Sequence, residues 1–334
     1  MTDAYSETKK EIISAMTAHG AWLIVSHENP DGDTIGSAAA LCSLGCRLGK
    51  DVKLVCKSKI PSRYFFVPYS QKFVIAEQTE DMDKDRLVIC VDTSTEARSI
   101  AGIRELGESG AVTVNIDHHG DNSMYCTLNL VDSDASATAE VVEDIFASAE
   151  WSMTKEEASA LYVALSTDNG NFRFHSTTAR SHMCAARLLE YGADPAELDD
   201  CVNENLTQDI LKLWGKAFSR TELSGGGCAA FFWLTDSDFS EASADASATE
   251  GLVNMLMRIE GVKIAVFLCE YAGVKKISVR TRPPFNAREF ASAFGGGGHP
   301  QAAGAKIGGS LSEALSLLRK ELVKYAAARH TANR

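Results

Sequence analysis

The sequence predicts an α/β protein in two parts: a parallel-sheet domain with flanking helices, then a smaller mixed α/β domain. Three observations carry that prediction. At 334 residues the chain exceeds one average domain and is long enough for two cores. Short β-rich apolar runs alternate with helical patterns through the first half, as strands and crossover helices of a parallel sheet do. A break around Gly192, Asp194 and Pro195 and a glycine turn at 225–227 then separate this alternation from a second set of strands and helices.

The runs at 22–26, 52–56, 87–92 and 112–117 hold Val or Ile inside and a polar or acidic residue near the C-terminal end, the rim where open α/β sheets place ligands. Helical patterns at 35–48, 139–147, 155–166 and 179–191 carry apolar residues at helical spacing and would cover the sheet. The stretch 207–222 is helical too, so residues 193–224 are expected to form a helical linker between domains at 1–192 and 225–334. In the second domain, strands are expected at 228–234, 264–271 and 276–280, and helices at 249–257, 287–294 and from Leu311. The Ser/Ala-rich stretch 240–249 is expected to be a surface loop.

Composition narrows the function. Hydrophobic residues make up 45% and charged residues 23%, and no segment has the unbroken apolar run of a membrane helix. Residues 1–16 mix charged with apolar positions and lack a secretory core, so a cytoplasmic protein without membrane partners is expected. Nine cysteines without a paired CxxC frame read as small buried hydrophobes, and the spacing of Cys42 and Cys46 fits a helix better than a zinc site. A net charge of −12 argues against a broad duplex-DNA binder; a small anionic substrate would need local positive charge from metal ions and a few arginines.

The chemistry-bearing segments follow in order. His27-Glu28-Asn29-Pro30-Asp31-Gly32-Asp33 lies after the run 22–26 and before the helix opening near Thr34. An imidazole and two carboxylates turned by Pro30 and Gly32 suit divalent cations, each aspartate facing a different ion. The plainer alternative is a capping turn with Asp33 or Thr34 as the N-cap. Asp92 ends a buried run, where a helix cap is an equally good reading. Asp117-His118-His119 closes the run 112–117; neighbours in an extended chain point opposite ways, so the two rings are expected to do different work. Asp117 is expected to orient a ring or brace the loop. Asp168 follows a helical stretch, where the helix dipole disfavours a carboxylate and a bound cation would explain it. His175 reads as a surface or packing residue.

In the second domain Gly295-Gly296-Gly297-Gly298-His299 exposes backbone N–H groups to which an anion can come close, with an imidazole beside them. Arg280 and Arg282 offer forked phosphate donors, an exposed strand edge being the alternative.

Taken in this order, the segments resemble the DHH phosphoesterase family over most of the chain, above all its subgroup of bifunctional oligoribonucleases and phosphoadenosine-phosphate phosphatases. The resemblance implies a catalytic, metal-binding DHH domain followed by a DHH-associated, substrate-binding domain. It implies that His27, Asp31, Asp33, Asp92, His118 and Asp168 bind two divalent ions, usually Mn2+ with Mg2+ as the alternative, and that Asp92 bridges them. His119 would face the scissile phosphate, so Asp92 and His119 are the catalytic candidates. Arg280, Gly296, Gly297, Gly298 and His299 would hold the substrate's nucleotide or terminal phosphate, with Arg282 beside them. Ser136, Thr138 and Glu140 match a family segment in a supporting role. Family II inorganic pyrophosphatases resemble the first half but carry Thr at the position of Gly32 and lack the glycine-histidine turn.

The implied activity is a two-metal phosphodiesterase that degrades very short single-stranded oligonucleotides to nucleoside monophosphates and also acts on phosphoadenosine phosphate. Four aspartates are then offset by two divalent ions, leaving a near-neutral site in an acidic protein. Closure of the second domain about the linker would favour short substrates. Two alternatives stand beside this: a soluble phosphodiesterase for cyclic or linear dinucleotides, and a non-catalytic nucleotide sensor, which would not need the full ligand set. No sequence pattern sets the oligomeric state or the direction of degradation.

Overall fold

The computed structural model describes residues 3–79, 84–203, 206–249 and 251–331. They fall into two compact units, Met1–Asn205 and Leu206–Arg334. The first runs α1 (Asp3–Ala18), β1 (Ala21–Ser26), α2 (Gly32–Arg47), β2 (Asp51–Cys56), β3 (Val74–Ile75), β4 (Leu87–Val91), α3 (Ile103–Glu108), β5 (Thr113–Asp117) and β6 (Leu128–Val131). It continues with α4 (Thr138–Ser148), α5 (Lys155–Asp168), α6 (Ala179–Glu190) and α7 (Pro195–Asn203).

Six parallel strands lie in the order β3-β2-β1-β4-β5-β6. The order reverses between β1 and β4, which are neighbours in space although β2 and β3 intervene in sequence. At such a switch point the connections leave in opposite directions and open a crevice at the strands' C-terminal ends. Every residue of β4 is buried, as expected of an inner parallel strand covered on both faces. Helix α2 packs closely on α5 because Gly36 has no Cβ; one placed there would lie 2.3 Å from the Ala160 carbonyl oxygen.

The second unit runs α8 (Gln208–Ser219), β7 (Glu222–Ser224), β8 (Ala229–Leu234), α9 (Asp236–Glu241), α10 (Leu252–Leu256), β9 (Ile264–Tyr271) and β10 (Val274–Thr281). It ends with α11 (Ala287–Ser292), β11 (Gly297–Gly298), β12 (Ala302–Ile307) and α12 (Leu311–Thr331). Its sheet is mixed, in the order β11-β12-β10-β9-β8-β7, with β8 and β9 parallel and the other pairs antiparallel. Successive residues of β8 serve opposite faces: Phe231 joins a core with Leu318, and Phe232 one with Leu213.

The expected α/β class and its two sheets stand, while several boundaries differ. Residues 193–224 do not form a separate helical linker. Leu198 of α7 is buried in the first unit's core, where that helix packs on α5, and Leu213 of α8 is buried in the second's, where that helix packs on β8. Part of the stretch expected as a loop at 240–249 is the end of α9 and a 3-10 turn, Ala246–Thr249. The glycine turn is a β-hairpin, with Gly297 opposite Gly304 and Gly298 opposite Ala303. Among the described residues, no helix is long and apolar enough to cross a membrane.

Candidate metal centre

His27, one residue beyond β1, is buried at the switch point. Its Nδ1 lies 2.7 Å from the Glu28 carbonyl oxygen. A carbonyl only accepts, so Nδ1 carries the proton and donates, and Nε2 is directed at carboxylates: Asp92 Oδ2 at 3.4 Å and Asp31 Oδ1 at 3.6 Å. Asp31 is also the N-cap of α2, its Oδ1 accepting from the backbone N–H groups of Asp33 and Thr34. Capping and ligand placement, weighed as alternatives in the sequence, are done by one side chain, and the cap is Asp31 rather than Asp33 or Thr34.

Asp33 reaches the other side of the centre. Its oxygens accept from the backbone N–H groups of Thr138 at 2.7 Å and Ala139 at 3.1 Å, at the start of α4. Ala137, the N-cap of that helix, has no side-chain oxygen, so Asp33 of α2 satisfies donors that a local cap otherwise would. Gly32 is required beside it: a Cβ there would lie 2.2 Å from Thr167 Oγ1 on α5. Asp168, the last residue of α5, and His118 complete this side, with His118 Nε2 3.4 Å from Asp168 Oδ2 and 3.9 Å from Asp33 Oδ2.

Asp92 lies between the two groups. It is not the last residue of β4 but the residue after it, in the left-handed region at φ 57°, a conformation disfavoured for a side chain other than glycine by about 1 kcal/mol or more. The backbone N–H of Asp92 bonds to the Ile116 carbonyl at 2.9 Å, and the Thr138 hydroxyl donates to its Oδ1 at 3.0 Å. Held this way, Asp92 presents Oδ2 to His27 and Oδ1 to His118, the latter at 3.6 Å.

The two adjacent histidines do not point to opposite sides. Their ring centroids are 4.7 Å apart, edge to face, and both approach Asp92 Oδ1 at 3.6 Å. Strand β5 ends at Asp117, so the alternation of an extended chain lapses there. Their partners still differ. His118 Nδ1 faces the Ala135 carbonyl at 3.3 Å, whereas His119 Nδ1 bonds to Asp117 Oδ1 at 2.7 Å. Buried Asp117 does both tasks expected of it: it orients the His119 ring and braces the loop by accepting from the His118 backbone N–H at 2.8 Å. Asn122, absent from the sequence reading, donates to Asp117 and Asn115. A single loop asparagine carries no signal for that role.

The residues fit divalent cations. The sets His27–Asp31–Asp92, Asp33–His118–Asp168 and Asp92–His118–His119 each bring ligand atoms within 4.8 Å of one another. Among the described residues, histidine nitrogens are the only basic groups within 4.0 Å of these metal-facing aspartates. Burial, then the charges of Asp92, Asp168 and Asp31, push Asp33 well above the carboxylate range. Burial also raises Asp168 to about 7, with His118 opposing and Asp92 reinforcing. Burial works against a charged His27, but Asp31 and Asp92 raise it to about 10. A crowd of carboxylates that can lower its energy only by taking up protons is a setting in which cations replace them, and the mixed oxygen and imidazole donors suit ions such as Mn2+.

The second unit's candidates are arranged differently. Arg280 is on β10, which lies between β9 and β12 rather than at a sheet edge, and its half-buried guanidinium has its charge disfavoured by burial. Arg280 pairs with Ala302, and Ala302 accepts from the His299 backbone N–H at 2.7 Å, so Arg280 and the hairpin share one end of the sheet. Arg282 is exposed beyond it, as are Gly297, Gly298 and His299, while Gly296 is half-buried against Gly304. His175 is exposed.

Comparison with known proteins identifies the two domains. Residues 22–165 match the DHH family, N-terminal domain, and residues 226–327 the DHHA1 domain. The bifunctional oligoribonuclease and PAP phosphatase NrnA of Thermus thermophilus is 31% identical over 322 residues, spanning 94% of this chain and 93% of the relative. Its namesake in Bacillus subtilis is 28% identical over 302 residues, spanning 90% and 93%. The crystal structure of an exopolyphosphatase-related protein from Bacteroides fragilis shares the fold at a TM-score of 0.90 and 24% identity, over 98% of this chain and 99% of that one. With both domains in order and a relative of this similarity along nearly its whole length, the chain belongs to the DHH family of phosphoesterases, which are hydrolytic enzymes.

Proposed function

We propose that this enzyme removes nucleotides from very short single-stranded oligonucleotides and also takes phosphate from phosphoadenosine phosphate, using two divalent ions, Mn2+ foremost. The observation that carries the reading is the division of Asp92 between two ligand groups, Oδ2 toward His27 and Oδ1 toward His118. His27, Asp31 and Asp92 would hold one ion, and Asp33, Asp92, His118 and Asp168 the other. The names of the relatives supply the substrate class. An odd cysteine count without a CxxC frame is in keeping with a cytoplasmic setting.

Bound ions would supply Lewis acidity at a phosphoryl group and favour ionisation of water. The chain's own residues orient and exchange protons. Burial opposes the charge on His119, but Asp117 and then Asp92 raise its pKa to about 9. With Nδ1 held by Asp117, the ring is suited to meet a phosphoryl oxygen or to pass a proton to the leaving oxygen. In the second unit, Arg280, backed by the Gly296–Gly298 segment and His299, would take a nucleotide's phosphate. A half-buried guanidinium with no carboxylate partner among the described residues is suited to that charge.

The test is hydrolysis, with Mn2+ and with chelator, of a dinucleotide, a short RNA, a long single strand, phosphoadenosine phosphate, a cyclic dinucleotide and pyrophosphate. Metal-dependent loss of the short RNA and phosphoadenosine phosphate is expected. Turnover of the cyclic dinucleotide alone would replace the substrate assignment, and tight binding without turnover of any of them would favour a sensor.

A further inference from the structure

We propose that Arg98 contacts the substrate directly, its guanidinium holding a non-bridging phosphate oxygen on the His27 side of the metal centre. The inference rests on the hydrolase reading above and adds a residue to it. Arg98 ends the 3-10 turn Glu96–Arg98, which follows β4 on the C-terminal rim of the first sheet. The turn is fastened to the metal-facing loop, because the Arg98 carbonyl accepts from the Glu28 backbone N–H at 2.6 Å.

The side chain reaches back to the same loop, with a guanidinium nitrogen 3.4 Å from His27 Nδ1. That contact is not a hydrogen bond. Nδ1 already carries its proton toward the Glu28 carbonyl at 2.7 Å and has no lone pair for a second donor. Among the described residues Arg98 has no ion pair within 4.0 Å. A half-buried, always-charged fork of N–H donors therefore stands beside the candidate ligands without an acceptor.

An arginine left in that state loses hydration without gaining bonds unless an anion arrives, and phosphate oxygens match its geometry. Charge accounting agrees. Two divalent ions would offset Asp31, Asp33, Asp92 and Asp168, and Asp117 is already paired with His119 at 2.7 Å. Among the described residues, Arg98 is then a cation beside the centre with no ion-pair partner of its own, available to the substrate's charge. Lys57, which follows β2 and whose Nζ donates to the Ala97 carbonyl at 3.3 Å, is a second cation beside the turn, but its ammonium is directed at that carbonyl.

The experiment compares the full-length protein with Arg98→Met, Arg98→Lys and Lys57→Met. For each, Mn2+ affinity and inorganic phosphate binding to the Mn2+-loaded protein are measured by calorimetry, and kcat/KM on a dinucleotide and on phosphoadenosine phosphate by product formation. Arg98→Met is expected to keep Mn2+ affinity while phosphate binding and kcat/KM fall by about 10- to 100-fold, the range for charge-assisted hydrogen bonds. Arg98→Lys should recover part of the loss and guards against a folding defect in the methionine variant. Unchanged phosphate binding in Arg98→Met overturns the proposal. So does a fall in Mn2+ affinity, which would make Arg98 a brace for the His27 loop, or an equal loss in Lys57→Met, which would indicate a diffuse field. If the unaltered protein hydrolyses neither nucleotide, the hydrolase reading fails, and phosphate binding still decides the role of Arg98.

Discussion

The candidate metal centre of the first unit and the hairpin end of the second differ in how their side chains are held. In the first, His27, Asp33, Asp92 and Asp117 are at most 2% exposed, and each side chain is hydrogen-bonded: His27 to the Glu28 carbonyl, Asp33 to the backbone N–H groups that open α4, Asp92 to the Thr138 hydroxyl, and Asp117 to the His118 backbone N–H. In the second, Gly297, Gly298, His299 and Arg282 are exposed, and regular pairing organises the hairpin backbone more than the side chains. The contrast suits the two tasks proposed for them. Ligands that would share ions at fixed distances call for side chains held by buried structure, whereas a surface that would admit different nucleotides is better served by accessible donors.

The contrast breaks most readily at Asp92. Asp92→Ala removes the side chain common to two ligand groups, and Mn2+-dependent turnover is expected to fall by more than about 100-fold, beyond the loss of an outer partner. Circular dichroism should show the fold retained. Surviving activity would mean that Asp92 does not join two ions.

A smaller effect is expected from Gly32→Ala. Its Cβ collides with Thr167 Oγ1, so the start of α2 must move away from the end of α5, separating Asp31 and Asp33 from Asp168. Overpacking of this kind destabilises by about 1–3 kcal/mol. A denaturation midpoint and a Mn2+ titration should both weaken, and Thr167→Ala in the same chain should restore part of each.

His299→Ala, on the accessible side of the comparison, is expected to raise KM by about tenfold while leaving Mn2+ affinity unchanged, as for one lost hydrogen bond to a charged group. A fall in metal affinity would show that the division of labour between the units is drawn in the wrong place.

The last effect, on stability with none expected on metal affinity, tests whether the second unit has a rigid part of its own. Burial opposes the charge of Asp238, but Arg220 and the Thr235 backbone N–H and hydroxyl hold its carboxyl well below the usual range. A depressed pKa means stability that is present above the ordinary carboxylate range and lost as pH falls through the lowered value. Asp238→Asn should therefore lower stability by about 1–3 kcal/mol at neutral pH and flatten the acid limb of the stability profile. Urea midpoints measured near neutrality and in acid read both.

Much of the candidate metal centre was visible in residue types, since acids and histidines stand at the ends of apolar runs or helices, where few packing reasons call for them, while the choice of His27, Asp31, Asp33, Asp92, His118 and Asp168 as a ligand set came from the family resemblance. Asp117 was legible as a brace because an aspartate beside two histidines has an evident hydrogen-bonding use. Thr138 could be noted only in a supporting role, and Thr167, Asn122 and Arg98 carried no signal at all, since their partners lie on other elements. The second unit was harder to read. A run of glycines looks like a turn, and only the pairing of Gly297 and Gly298 with β12 makes it a hairpin.

By itself the sequence determined the α/β class, the two sheets and the chemical kinds of group that crowd one rim, because hydrophobic periodicity and residue type are local properties. Tertiary structure alone decided which groups meet. The strand order brings β1 beside β4, and with it His27 beside Asp92. The left-handed turn at Asp92 lets one carboxylate face two sides, and the missing Cβ of Gly32 lets α2 approach α5. Such contacts join residues far apart in the chain, and their distances are set by packing, which no local pattern encodes.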